Sequence, residues 1–177
     1  MSDTATLTLV DDPVWTDRYH KVRRLLQTTA SDGLRDTFHV GSTAIPDVDG
    51  KPELDVIAVY EEYSAMDEAA TAIESVGFER LHDEGECIVS VRQLDGQAEI
   101  IKFHLPGDER VRSQLLGRYY LSAHETARRR YEQIKHDALS DHPDSREDYT
   151  KSKTEFVGEI IDLAIEAGYD ERLPDTI

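Results

Sequence analysis

Residues 39–60 read HVGSTAIPDVDGKPELDVIAVY. One apolar run closes on Gly41-Ser42, ten residues follow, and Glu53-Leu54-Asp55-Val56 opens a second run. A strand, a tight turn and a strand in any soluble domain read this way. So does a phosphate cradle facing metal-binding carboxylates. Glycine and serine after a strand let backbone N–H groups and a hydroxyl approach an anion, because glycine has no Cβ to block it. Glu53 and Asp55 lie two apart on the second run, so both side chains leave the same face of a strand. Two carboxylates opposite a phosphate cradle suit magnesium, which takes one or two carboxylates and completes its shell with water and substrate phosphates.

Outward from this stretch the pattern alternates between helix and strand. Asp12-Pro13 offers a cap and a first-turn proline. Trp15, Tyr19, Val22, Leu25 and Leu26 follow at helical spacing, predicting a helix over roughly 13–30. Thr37 to Val40 and Leu54 to Tyr60 read as strands, the second buried on both faces. Ser64-Ala-Met-Asp67 has the form of a capping box, and the helix it starts stops at Gly77. After a short strand over Phe78 to Leu81, Cys87 to Leu94 and Ala98 to Leu105 flank Asp95-Gly96, a hairpin signal. A two-residue loop there pairs Arg92 with Glu99, Val89 with Lys102 and Cys87 with His104.

Beyond Pro106-Gly107 about three helices are expected. Cap signatures stand at Ser122-Ala-His-Glu125 and Ser145-Arg-Glu-Asp148, with an apolar stripe through Phe156, Ile160, Leu163, Ala164 and Ala167. The expected architecture is α+β, one domain over 1–177: a small mixed β-sheet with packed helices (1–107), a helical C-terminal region (108–168) and a ragged acidic tail (169–177).

Of the 177 residues, 37 are acidic and 20 basic, giving a net charge of −17, and arginine outnumbers lysine among the bases. Such a surface repels nucleic acid and anionic membranes, and it suits a cytosol of very high salt. With the single cysteine Cys87 no intrachain disulfide forms. No apolar run is long enough for a membrane span, so a cytoplasmic protein is expected. Gly50-Lys51 is followed by proline rather than Ser or Thr, which excludes a P-loop, and Asp47-Val-Asp49-Gly50 sets its glycine two places early for an EF-hand.

The opening stretch resembles the motif of the DNA polymerase beta-like nucleotidyltransferases: Val40-Gly41-Ser42, about ten residues, then Glu53-Leu54-Asp55-Val56. It resembles the GrpB family more closely still, through His39-Val-Gly-Ser-Thr43, Lys51-Pro52, Asp55, His104-Leu105, Arg118 to Leu121, Tyr131 with Lys135, and Tyr149-Thr150 with Lys153 and Phe156. The resemblance implies a nucleotidyltransferase-like fold. It also implies metal-dependent transfer of a nucleoside monophosphate from a nucleoside triphosphate to an acceptor. The alternative is a catalytically degenerate nucleotide-binding or regulatory module.

On this reading Asp55, with Glu53, holds Mg2+, and Gly41 and Ser42 cradle phosphates. Lys51, Arg118, Lys135 and Lys153 contact the triphosphate, each having a surface ion pair as its other reading. The chain departs from the family at Glu53, where an apolar residue is usual, and at Lys102, which replaces a histidine. Active transferases of this fold carry a third acid on a neighbouring strand. Glu99 is tied to Arg92 by the hairpin register, so His104 is the candidate to stand in for that acid.

Overall fold

The computed structural model describes residues 14–177, so the expected cap at Asp12-Pro13 lies outside the described residues. The chain runs α1 (Trp15–Thr29), β1 (Leu34–Val40), a 3-10 turn (Ser42–Ala44), β2 (Glu53–Tyr60), α2 (Tyr63–Ala72), β3 (Glu79–Asp83), β4 (Cys87–Leu94) and β5 (Gln97–His104). Helices α3 (Glu109–Ala123), α4 (Glu125–Asp141) and α5 (Arg146–Glu166) complete it. The sheet order is β1-β2-β5-β4-β3. Only β2 and β5 run parallel; the remaining pairs are antiparallel, so the sheet is mixed, as expected.

Side chains of β2 alternate between two layers. Leu54, Val56, Ala58 and Tyr60 enter a core with Trp15, Val22 and Leu26 of α1 and Met66, Ala70 and Ile73 from α2 and its 3-10 extension. On the opposite face Ile57 and Val59 join Phe38 and Val40 of β1 under Val111 and Leu115 of α3. Glu53 and Asp55 share that second face but precede the stretch covered by α3, and both are half-buried. The start of β2 is thus left open on one face. Its wall is supplied by the C-terminal helices, where Ile45 and Val48 pack with Leu121, Tyr131, Phe156 and Ile160.

The β4–β5 hairpin has the anticipated register: Cys87 faces His104, Val89 faces Lys102 and Arg92 faces Glu99. Asp95 and Gly96 both have positive φ, 55° and 76°, as a primed two-residue turn demands.

Two cap expectations fail. Helix α2 begins at Tyr63 behind Glu62 with no side-chain cap, and Asp67 instead takes Arg80 at 2.6 Å. Ser122 lies inside the last turn of α3, where Arg128 donates to the carbonyls of Leu121 and Ser122, and α4 starts from His124. Ser145 does cap α5, its hydroxyl accepting from the Asp148 amide.

The stripe of α5 is carried by Tyr149, Phe156, Ile160 and Ala164, whereas Leu163 is exposed. Residues 169–177 are not ragged. Tyr169 is buried in a 3-10 turn, and Leu173 and Ile177 pack against the cluster around Phe38.

Candidate functional site

Gly41 links β1 to the 3-10 turn with φ 76°, and a Cβ placed on it would lie 2.8 Å from Asp55 Oδ2. Only glycine lets the turn lie flat against that carboxylate. Ser42 reaches across to α4, its Oγ 3.3 Å from the Tyr131 hydroxyl. His39 braces the turn from below: Nε2 meets Thr43 Oγ1 at 3.0 Å, and the ring stacks on Tyr19. Burial, reinforced by Arg118, holds the His39 imidazole down at about 4, so it is neutral at physiological pH.

Both carboxylates of β2 carry cations. Asp55 Oδ1 pairs with Lys102 Nζ at 2.8 Å. Glu53 takes both arms of Arg146 from the start of α5, at 2.7 and 3.0 Å, and Lys51 at 3.5 Å. Lys51 and Lys153 both lie over the Tyr149 ring, at 5.3 and 4.3 Å.

Lys135, fully buried on α4, donates to the Asp49 carbonyl and covers the Tyr131 ring. Burial, then the nearness of other lysines, lowers Lys135 and Lys153 to about 8 each; burial likewise lowers Lys51. Arg118 stands nearer the turn, where it donates to the His39 carbonyl at 2.9 Å.

Gly41, Ser42, Lys51, Glu53, Asp55, Lys135 and Lys153 are therefore brought together. His104 is not. In the parallel register Asp55 faces Ile100, whereas His104 faces Val59, four residues along β5 and so roughly 13 Å away along the strand. The His104 side chain is buried, with Nδ1 2.7 Å from Asp108 Oδ2, where it fastens β5 to the N-cap of α3. Burial lowers its pKa, only partly offset by Asp108.

The β5 side chain that reaches Asp55 is Lys102, from two residues further along the strand, so a cation occupies the place expected for a third acid. These residues as arranged do not fit a dedicated magnesium centre, because each carboxylate already holds a cation at contact distance and the nearest group from β5 is an ammonium. Among the described residues, the trio whose ligand atoms lie within 4.8 Å of one another is Asp49, Glu132 and His136, all partly or fully exposed.

Sequence reasoning missed Arg146 and the Lys102 contact with Asp55. Arg146 is 93 residues from its partner Glu53 and sits in a plain capping box, so no local pattern marks it.

A mixed sheet whose first parallel strand presents acids to a Gly-Ser turn defines a nucleotidyltransferase-like fold. Cid1 in complex with the UTP analog UMPNPP shares that fold, at TM-score 0.50 and 11% identity over 72% of this chain and 40% of that one. The GrpB protein family model matches residues 7–163, and the chain belongs to the GrpB family. It is 28% identical over 162 residues to the glutamate-rich protein GrpB of Alkalihalophilus pseudofirmus, covering 83% of this chain and 88% of that protein. The crystal structure of the conserved protein GrpB from Enterococcus faecalis superposes at TM-score 0.81 and 20% identity, over 92% of this chain and 99% of that one. No helix among the described residues is long and apolar enough to cross a membrane.

Proposed function

We propose that the open end of β2 binds a nucleoside triphosphate or a related small phosphorylated molecule through its cations, with Glu53 and Asp55 positioning those cations. The observation that carries this reading is the gathering of Lys51, Lys102, Arg146 and Lys153 around two carboxylates, with Lys135 next to Lys153, in a chain of net charge −17. Lysines buried close enough to depress one another are relieved by an anion, which restores their charge and supplies acceptors. The Tyr149 hydroxyl, buried and without a hydrogen-bond partner among the described residues, is a further donor for it. The binding of a UTP analog by a protein of the same fold supports the choice of ligand class.

Equilibrium binding of UTP in the presence of a chelator, in low and high salt, tests this. Binding persists without magnesium and weakens with salt. Lys51→Ala and Lys153→Ala each lower affinity by roughly tenfold, the worth of one charge-assisted hydrogen bond. No binding, or binding indifferent to both variants, rejects the reading.

One observation favours a second reading, metal-dependent transfer of the nucleoside monophosphate to an acceptor hydroxyl or amine with release of pyrophosphate. Gly41 holds the turn against the Asp55 carboxylate, the juxtaposition such transfer requires. It also requires the incoming phosphates to draw Lys102 away from Asp55. Magnesium-dependent turnover that disappears in Asp55→Asn supports it; binding without turnover at any magnesium concentration supports the first.

A further inference from the structure

Behind the Gly41–Ser42 turn lies a cavity of about 170 Å3 between the turn and the three C-terminal helices. Ile45, Leu121, Tyr131, Phe156 and Ile160 make its wall mostly apolar, and Ser113, Gln114 and Arg118 of α3 supply its polar groups, Arg118 while donating to the His39 carbonyl. Few polar groups in an apolar wall are the usual make-up of a small-molecule pocket. The cavity adjoins the cationic cluster directly: Gly41 lines it, and Tyr131 lines it while carrying Lys135 over its ring at 5.2 Å.

Gly117 opens onto this cavity from the middle of α3, where glycine is among the least favourable residues. A Cβ there would meet no neighbouring atom within 4 Å. Helix packing therefore does not demand a glycine at this position. Its effect is to leave the wall of the cavity open, beside rings of Tyr131 and Phe156 that are already stacked within 15° of parallel.

We propose that this cavity receives a single planar ring of pyrimidine size, carried by the same ligand whose phosphates meet the lysines. The proposal rests on the phosphate reading above and adds the class of ligand: a pyrimidine nucleotide rather than a sugar phosphate or an inorganic polyphosphate. Size favours one ring: an apolar cavity of roughly 150 Å3 accepts benzene, and a fused purine pair would extend beyond the walls of this space, which is open on one side. Ser113 and Gln114 meet the polar edge of the ring.

Binding of UTP, ATP and inorganic triphosphate to the full chain and to Gly117→Leu is the test, with circular dichroism to verify the fold. UTP binds at least tenfold tighter than triphosphate, and ATP binds more weakly than UTP. The leucine fills the cavity and removes the margin of UTP over triphosphate, leaving triphosphate affinity within twofold. If leucine unfolds the chain, Gly117→Ala, which favours the helix and adds one methyl group, narrows the same margin. Triphosphate bound as tightly as UTP, ATP bound more tightly than UTP, or a margin unaltered in a folded variant overturns the ring assignment alone. If none of the three ligands binds the unaltered chain, the phosphate reading and this inference fall together.

Discussion

Two carboxylate clusters lie on opposite faces of neighbouring strands and behave differently. Glu99 of β5, 3% exposed, is gripped by Arg92 at 2.5 and 3.1 Å and by Arg18 of α1 at 3.2 Å. Asp55 of β2, with 22% of its side chain exposed, is met by one lysine that is itself 29% exposed. Arginine forks locked in a dry layer make a fixed structural joint, whereas an ammonium on a flexible stem at an open edge can exchange one anion for another. The difference teaches which cluster is available to a ligand: the one that folding has not already spent.

The sharpest way to break this comparison is Glu99→Gln. Neutralising Glu99 leaves two largely buried guanidinium groups without an opposing charge, a loss of about 3 kcal/mol in stability. A urea titration reads it as a lower midpoint. UTP affinity of the folded fraction stays unchanged. Loss of binding without loss of stability would show that the two clusters are not separate.

Gly41→Ala attacks the other side. Its φ of 76° and the 2.8 Å approach to Asp55 Oδ2 force either strain or displacement of the carboxylate. Stability falls by about 2 kcal/mol, and phosphate affinity falls with it because the turn moves off β2. A variant that loses stability but keeps full affinity would exclude the turn from the site.

The legibility of this site in the sequence follows the same division between local and remote contacts. A two-residue turn fixes the register of the strands it joins, so Asp95-Gly96 was enough to pair Arg92 with Glu99 and Cys87 with His104. Gly41 and Asp55 were likewise readable, because strand, turn and strand are consecutive.

The register of β5 against β2 is set across a parallel pair with 36 residues between Tyr60 and Gln97, and no short turn specifies it. The sequence therefore offers His104 as the stand-in for the third acid, whereas the side chain that reaches Asp55 is that of Lys102. Arg146 was invisible for the same reason. The Ser64 cap does not form, its reciprocal residue Asp67 being paired with Arg80, and the Ser122 cap does not because α3 runs on through Ala123.

The finest distinction between the clusters is their response to pH. The ordinary lysine value of 10.5 falls to about 8 at Lys153, because burial and then the neighbouring Lys51 disfavour its charged form. Between those two values the unfolded chain binds the proton and the folded chain does not, so stability rises as pH climbs from about 8 toward 10.5. A phosphate ligand needs the protonated amine, so its affinity falls over the same rise, beginning near pH 8. Opposite slopes of melting temperature and UTP affinity across this window are the expected result, measured by scanning calorimetry and titration calorimetry on the same samples. Lys153→Met lessens both slopes, the remainder coming from Lys135, which is lowered to about 8 as well. Parallel slopes, or an affinity slope unaltered in that variant, would detach Lys153 from the ligand and leave it a half-buried structural lysine resting on Tyr149.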